Sequence, residues 1–109
     1  MQRAYRLTNN ASFNYIYRKG DSVVGRLMAI SYVKAFNTKV GVSVSKKIGK
    51  SVTRNLVKRR IKENFATIIP SITESHNYVV VARSGIENAT FQEIGDEIKK
   101  LLSKIRHIK

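Results

Sequence analysis

The residues best suited to bind or transform a substrate lie in one basic stretch, residues 45–63, in which the only acid is Glu63 at the end. Eight of the 21 Lys and Arg residues of the chain fall here: Lys46, Lys47, Lys50, Arg54, Lys58, Arg59, Arg60 and Lys62. The first three lie in a predicted loop around Gly49, and the others lie in a predicted helix. Cations at this density are suited to bind an anionic polymer.

The predicted helix has two distinct faces. At about 100° per residue one face is apolar, which predicts burial in a core: Val57, Ile61, Phe65 and Ile68. An adjacent face is polar and basic: Asn55, Lys58, Arg59 and Lys62. Like charges three or four positions apart destabilise a helix slightly, and bound phosphates relieve that repulsion. The pattern favours nucleic-acid contact over a passive solvated face.

Groups that could cleave a phosphodiester bond form no recognisable motif. Such a site needs a general base and acid, or carboxylates that hold a metal. His76 falls in a predicted loop and His107 near the end of the last helix, and both are expected on the surface. Asp96 and Glu97 point to different faces of a helix, and residues 47–51 lack the upstream glycine of a phosphate-binding loop. We predict no catalytic residue and no metal site.

Composition limits the class of protein and its compartment. A chain of 109 residues with 42% apolar residues fits one domain with a modest core. The formal charge is +14, and residues 22–62 contain no acid, which leaves nucleic acid or an acidic membrane surface as partner. With no cysteine, no signal-peptide pattern and no bilayer-spanning stretch, we expect a cytoplasmic protein that does not bind membranes. Residues 1–6 are expected to form a flexible basic arm.

The first half of the chain predicts one helix and up to three strands. A helix is expected over residues 10–18, capped by Asn9 or Asn10, with Phe13, Ile16 and Tyr17 on one face. Residues 22–45 are rich in strand formers, most clearly at 40–45. There valines alternate with a face of only glycine and serine: Gly41, Ser43 and Ser45. That face leaves room for a ligand, or it is a plain solvent-facing side.

The second half predicts helix, strand and helix. The basic helix should begin near Ser51, a good cap residue, and end by Ile69, because the residue before proline is disfavoured in a helix. Residues 78–82 predict a buried strand, parallel to a neighbour because a helix intervenes. Thr90 and Glu93 fit a capping box that starts the last helix. The fold class is α+β, a single domain in the order α-β-β-β-α-β-α.

The central stretch also carries a specific resemblance. Residues 42–55 read Val-Ser-Val-Ser-Lys-Lys-Ile-Gly-Lys-Ser-Val-Thr-Arg-Asn. Followed by a basic helix, they resemble the signature of the bacterial ribonuclease P protein subunit, and residues 7–20 and 78–83 fit that family in order and spacing. The family's helix opens with Arg-Asn-Arg, whereas this chain has Leu56 at the third position. We expect Arg60, one turn later, to supply the missing charge.

The resemblance implies a fold, an activity and two RNA partners. The family has a ribosomal-protein-like fold with a four-stranded mixed sheet. In ribonuclease P the catalytic centre and its Mg²⁺ ions belong to the RNA subunit. The protein binds that catalytic RNA and the single-stranded 5′ leader of precursor tRNA, whose endonucleolytic removal leaves the mature 5′ end. By implication the chain alone holds no cofactor.

Carried onto this sequence, the resemblance assigns residues to both RNAs. The candidate RNA-binding residues are Lys46, Lys47, Lys50, Arg54, Asn55, Lys58, Arg59 and Lys62. The candidate leader-binding residues are Phe13, Tyr17, Ser43 and Ser45. Tyr17 stands where the family more often has Phe, and its ring can still stack. The spacing of Phe13 and Tyr17 alone favours a core role instead.

Two other functions are compatible with the sequence. One is an RNA-binding protein of a different assembly, such as a small basic ribosomal protein, which composition alone does not exclude. The other is a polybasic membrane-surface protein. The latter needs aromatic residues on an exposed apolar face, whereas the apolar stripes here are expected to form the core.

Overall fold

The structure is a computed structural model that describes residues 5–7 and 10–108. Its helices and strands follow the predicted order, and the predicted α+β class is confirmed. They are α1 (Asn10–Lys19), β1 (Asp21–Val24), β2 (Met28–Lys34), β3 (Lys39–Ser43), α2 (Ser51–Ile68), β4 (His76–Ala82) and α3 (Phe91–Lys104). Short 3-10 turns precede α2, follow it, and precede α3: Lys46–Ile48, Ile69–Ser71 and Ile86–Asn88.

The four strands form one mixed sheet in the order β1-β2-β4-β3. β2 pairs antiparallel with both β1 and β4. β3 and β4 are parallel, with Val42 opposite Val80, as expected for strands joined by a helix. The alternation of Val40, Gly41 and their neighbours is therefore a true strand pattern, and it sends successive side chains to opposite faces of the sheet.

The helices divide between the two faces of this sheet. α2 and α3 cover the face of Val40, Tyr78 and Val80, and these residues share one hydrophobic core. α1 covers part of the other face, where Ile16 packs with Val79 in a smaller cluster. Because α1 is short, it leaves part of the second face uncovered. Val81 and Ala29 of that face are accordingly only half-buried.

Close contact between α2 and α3 depends on one asparagine and one glycine. The buried Asn64 of α2 donates through Nδ2 to the carbonyls of Arg60 and Phe91, each at 2.9 Å. A Cβ on Gly95 of α3 would overlap the Asn64 carboxamide. At the start of α3, Thr90 and Glu93 form the predicted capping box, and its hydrogen bonds lower the pKa of Glu93.

Two boundary predictions were wrong. Ser51 is the first residue of α2 and not its cap, since Lys50 occupies the cap position without a side-chain hydrogen bond. Arg6, which was predicted to belong to the flexible arm, instead forms a β-bridge with Val40. Next to it, the amide of Leu7 donates to the Val40 carbonyl at 3.0 Å. Residues 1–4 of that arm and the alternative cap Asn9 lie outside the described residues.

The prediction that His76 lies on the surface in a loop was also wrong. His76 is the first residue of β4 and is buried. Its ring stacks on His107 with centroids 3.9 Å apart, and the Tyr78 hydroxyl lies 2.7 Å from His107 Nδ1. Burial raises the pKa of Tyr78, so its hydroxyl stays protonated and shares a hydrogen bond with His107 Nδ1. The two histidines hold the chain end against the sheet.

The cluster of His76, Tyr78 and His107 is expected to make the protein less stable in acid. Burial, and secondly His76, lower the pKa of His107 below 6.5, while Glu74 opposes them as the weakest cause. The unfolded chain therefore takes up this proton at a higher pH than the folded one does. The stabilisation from neutral His107 is complete above pH 6.5 and is lost as pH falls through the lower folded pKa.

Denaturant titrations at about pH 7.5 and pH 5.5 measure this effect. The free energy of unfolding should be smaller at the lower pH, and His107→Phe should reduce the difference, because it removes the titrating group. Tyr32, whose ring centroid lies 4.7 Å from that of His107, would pack against the new ring. An unchanged pH difference in the variant would contradict the role given to His107.

Candidate nucleic-acid interface

The residues of the predicted basic face of α2 lie together on the protein surface. Asn55, Lys58, Arg59 and Lys62 line one shallow groove of about 310 Å³, with Glu63 as its acid. The opposite side of α2 is fixed in the core by Val57, Ile61, Phe65 and Ile68, all buried as predicted. This burial determines the rotation of the helix about its axis, so the groove must face outward.

The cations of this groove form no ion pair with any described residue. Within residues 5–7 and 10–108 the one ion pair is Lys34–Glu74, at 3.9 Å and exposed, and no side chain of α2 takes part in it. Glu63 contributes one acid to the groove against three cations, Lys58, Arg59 and Lys62. The groove therefore keeps an excess of positive charge, and an external anion would relieve the repulsion between these cations.

Positive charge continues around the start of α2. Lys46 and Lys47 are exposed on the 3-10 turn, which is anchored by the buried Ile48. The first turn of α2 has neither an acid nor a side-chain cap, so its free N–H groups and the helix dipole add partial positive charge near Lys50. This feature was not predicted, because Ser51 was expected to cap the helix. Lys46, Lys47 and Lys50 together with the α2 groove are called the basic surface below.

Arg54 lies between the basic surface and the core. It is half-buried, and its Nε atom is buried without a hydrogen-bond partner among the described residues. A buried donor left unpaired costs about 1–3 kcal/mol. The position differs from that of Arg59, which is exposed, and the two arginines are not equivalent members of the predicted set.

The expectation that Arg60 replaces the charge missing at Leu56 was wrong. Arg60 Nη1 donates to the Ala89 carbonyl at 3.0 Å, which turns the guanidinium toward the start of α3. It is absent from the groove formed by Asn55 and its neighbours. Arg60 joins two elements of the fold instead of extending the basic surface.

Arg60→Ala should consequently destabilise the protein by about 1.5–3 kcal/mol, the usual contribution of a hydrogen bond to a charged group. We expect a smaller effect on the salt dependence of RNA binding than from Arg59→Ala, which removes the same charge from the groove. Chemical denaturation and salt titration of both variants test this. If Arg60→Ala changed the salt slope as much as Arg59→Ala, the assignment of Arg60 to the fold would be wrong.

The candidate leader-binding residues lie around α1 and are not equally exposed. Phe13 is partly buried against Leu7, Ile16 and Val79. A Cβ on Gly41 would overlap the Phe13 ring, so the space above this glycine is filled by the aromatic side chain. The room for a ligand predicted at Gly41 is thus occupied, and the core role of Phe13 is partly correct. Tyr17 is 47% exposed.

The uncovered part of this sheet face begins beyond Phe13. Ser43 is half-buried at the end of β3, and Ser45 is exposed after it. Ser43 pairs with Val81, which pairs with Ala29, so these side chains share one face. Val81 and Ala29 were not predicted as site residues, because their role depends on sheet register. Tyr17, Ser43, Val81 and Ala29 are called the aromatic groove below.

Other kinds of site find no support in the described part of the chain. It contains no group of three or more His, Cys, Asp or Glu residues placed to hold a metal ion. No helix within it is long and apolar enough to cross a membrane. The histidines His76 and His107 face each other and Tyr78.

Comparison with known proteins gives a consistent result. The profile of the family described as "Ribonuclease P" matches residues 1–106. The "Ribonuclease P protein component" of Clostridium acetobutylicum is 37% identical over 103 residues, covering 91% of this chain and 87% of that protein. Its namesake from Staphylococcus carnosus is 38% identical over 105 residues, covering 94% and 90%.

Solved structures agree with this result. The Staphylococcus aureus RNase P protein superposes with a TM-score of 0.88 at 33% identity, covering 98% of this chain and all of that one. The Thermotoga maritima RNase P protein shares the fold, with a TM-score of 0.84 at 24% identity, covering 93% of this chain and 97% of that one. The chain matches these proteins in fold, and in sequence over nearly its whole length. It therefore belongs to the ribonuclease P protein family.

Proposed function

We propose that this chain is the protein subunit of a ribonuclease P, the endoribonuclease that removes the 5′ leader of precursor tRNA. The observation that carries the proposal is the groove of Asn55, Lys58, Arg59 and Lys62, set outward by the buried side of α2. In the proposed complex this basic surface binds the catalytic RNA. The family membership supports this choice of RNA.

The basic surface has the features that a phosphate backbone requires. Its cations have no protein partner among the described residues, and the uncapped start of α2 adds N–H donors beside Lys50. Phosphate contacts fix position without reading sequence. Asn55, whose amide both donates and accepts hydrogen bonds, adds a contact to sugar or base edges.

The aromatic groove is the proposed site of the precursor tRNA leader. The exposed Tyr17 offers a ring on which an unpaired base can stack, and the half-buried Ser43 offers a hydroxyl at the end of β3. Stacking tolerates any base, which suits an enzyme that processes many leaders. Phe13 supports this groove from the core side, since its ring fills the space above Gly41.

Catalysis in the proposed holoenzyme is carried out by the RNA subunit and its Mg²⁺ ions, while this chain binds and positions. The arrangement of the histidines supports this division. His107 Nδ1 is engaged with the Tyr78 hydroxyl and the two imidazoles are stacked, so both rings take part in packing within the fold. We propose the cytoplasm as the place of action, where precursor tRNA is made.

Recovery of bound RNA from cells that express the tagged chain tests the proposed function. We expect one structured RNA, the ribonuclease P RNA, together with precursor tRNA. Arg59→Ala combined with Lys62→Ala should reduce both, because both changes remove charge from the groove. Recovery of ribosomal RNA alone would support the rival function in a ribosomal assembly and contradict the proposal.

A further inference from the structure

The turn between β2 and β3 presents an aromatic ring that the proposed function does not use. Phe36 is 99% exposed, more than any other large hydrophobic residue in the described ranges. It stands between Ala35 and Asn37, just before β3 begins at Lys39. A ring in this position contributes nothing to the core, so its role must be sought outside the protein fold.

Phe36 borders a small groove distinct from the aromatic groove. The groove measures about 210 Å³ and is lined by residues from the segment before α1, from α1, from the turn and from two strands: Leu7, Ser12, Ala35, Phe36, Asn37, Lys39 and Asn77. Ser12 and Tyr17 project about 140° apart around α1. The two grooves therefore lie on opposite flanks of this helix. At this size the space fits a single ring and not a drug-sized molecule, which needs about 300–1,000 Å³.

Asn77 gives this groove an unused hydrogen-bond acceptor. Its Oδ1 atom is buried and has no partner among the described residues. An amide oxygen in this state gains a partner when a ligand in the groove displaces the groups that cover it and offers an N–H. Lys39 lies directly opposite Asn77 in the pairing of β3 with β4 and adds an exposed cation. An aromatic face, a free acceptor and a positive charge thus meet at one place.

We propose that this groove binds an unpaired nucleobase that carries an amino group. The base stacks on Phe36, its amino group donates to Asn77 Oδ1, and the phosphate beside it contacts Lys39. The inference rests on the proposed RNA-binding function and adds a contact outside both surfaces assigned above. The base belongs either to the catalytic RNA or to precursor tRNA.

The lining favours a base over an apolar protein side chain. A protein hot spot is a desolvated pocket filled by an apolar or aromatic anchor. Here Ser12, Asn37, Lys39 and Asn77 line the groove beside the ring with polar groups. Such a border suits a planar ligand with hydrogen-bonding edges. The exposed Arg6, which is paired beside β3, adds to the positive charge of the same edge.

The absence of tryptophan in the chain provides a direct probe. Phe36→Trp introduces a single indole at the proposed stacking position. Phe91→Trp introduces one at an exposed aromatic position on α3 as the matched control. We expect the catalytic RNA, or added precursor tRNA, to quench the indole fluorescence of the Phe36→Trp protein saturably. The fluorescence of the Phe91→Trp protein should not be quenched. The RNA that causes the quenching identifies the source of the base.

The role of Asn77 is tested with two oligonucleotides that both stack. Short single-stranded oligoadenylate should quench the indole of Phe36→Trp at lower concentration than the same oligomer built from purine riboside, which lacks the amino group. Adding Asn77→Ala to Phe36→Trp should abolish the preference for oligoadenylate, while both oligomers still quench the indole by stacking. Equal quenching by the two oligomers in Phe36→Trp with Asn77 intact would overturn the assignment to Asn77.

Affinity measurements complete the test. Phe36→Ala should weaken binding of the identified RNA by about 5- to 150-fold, the range for loss of one stacked base, and Phe36→Tyr should not. If the RNAs bind tightly but the indole of Phe36→Trp is not quenched, this inference fails and the proposed function stands. If neither RNA binds the parent protein, the proposed function fails as well.

Discussion

The affinity of the chain for the proposed RNA subunit is expected to fall by about three to five decades between 50 and 200 mM salt, the range for about six to ten phosphate contacts. The reason is counterion release: each phosphate neutralised by a Lys or Arg frees a condensed cation, and added salt opposes that release. The basic surface and the adjoining Arg54 supply enough cations for such a count: Lys46, Lys47, Lys50, Arg54, Lys58, Arg59 and Lys62. Binding measured across this salt range gives the slope directly.

Single variants then separate the basic surface from the general charge of the protein. Arg59→Ala and Lys62→Ala should each reduce the slope by about one unit, because each removes one phosphate contact. Lys99→Ala is the matched control, since it removes one exposed charge from α3. A flat salt dependence, or equal changes in all three variants, would contradict an RNA interface centred on α2.

Tyr17→Ala is expected to weaken binding of precursor tRNA by about 5- to 150-fold while leaving mature tRNA nearly unaffected. Loss of one base stacked on an aromatic ring costs about 1–3 kcal/mol, and only precursor tRNA has a leader to provide that base. Tyr17 is 47% exposed, so its removal should leave the fold intact. Competition binding with the two tRNAs measures the difference.

Two controls make this result specific. Tyr17→Phe keeps the ring and should retain leader discrimination, whereas Tyr15→Ala removes an exposed tyrosine from another side of α1 and should have no effect. Phe13→Ala is less informative because Phe13 is packed against a cluster, and loss of a core Phe costs about 3–5 kcal/mol of stability. Equal losses for both tRNAs in folded Tyr17→Ala would show that Tyr17 does not bind the leader.

Local patterns were sufficient to predict most of the fold. The alternation at Val40 to Val44 and the apolar stripe of α3 each depend on one element and its period, which sequence records directly. The parallel partner of β4 followed from the intervening helix. The placement of Asn55, Lys58, Arg59 and Lys62 in one groove followed from the helical period and was found in the structure.

The features that were missed depend on contacts between distant parts of the chain. His76 was placed in a loop because its neighbours are polar, but pairing with Lys34 and stacking on His107 draw it into β4. Arg60 was expected to replace the charge missing at Leu56 because it lies one turn later, but the Ala89 carbonyl of the turn before α3 binds it. The groove beside Phe36 combines five segments, and no local signal predicts it.

The most direct test of the account is cleavage of precursor tRNA by the chain and the catalytic RNA, separately and together. The account predicts that the chain alone cleaves nothing, and that adding it to the RNA lowers the KM more for a precursor with a long leader than for one whose leader is a single nucleotide. Tyr17→Ala should remove most of this leader-dependent gain. Cleavage by the chain alone, or a gain that is the same for both leaders, would contradict the account.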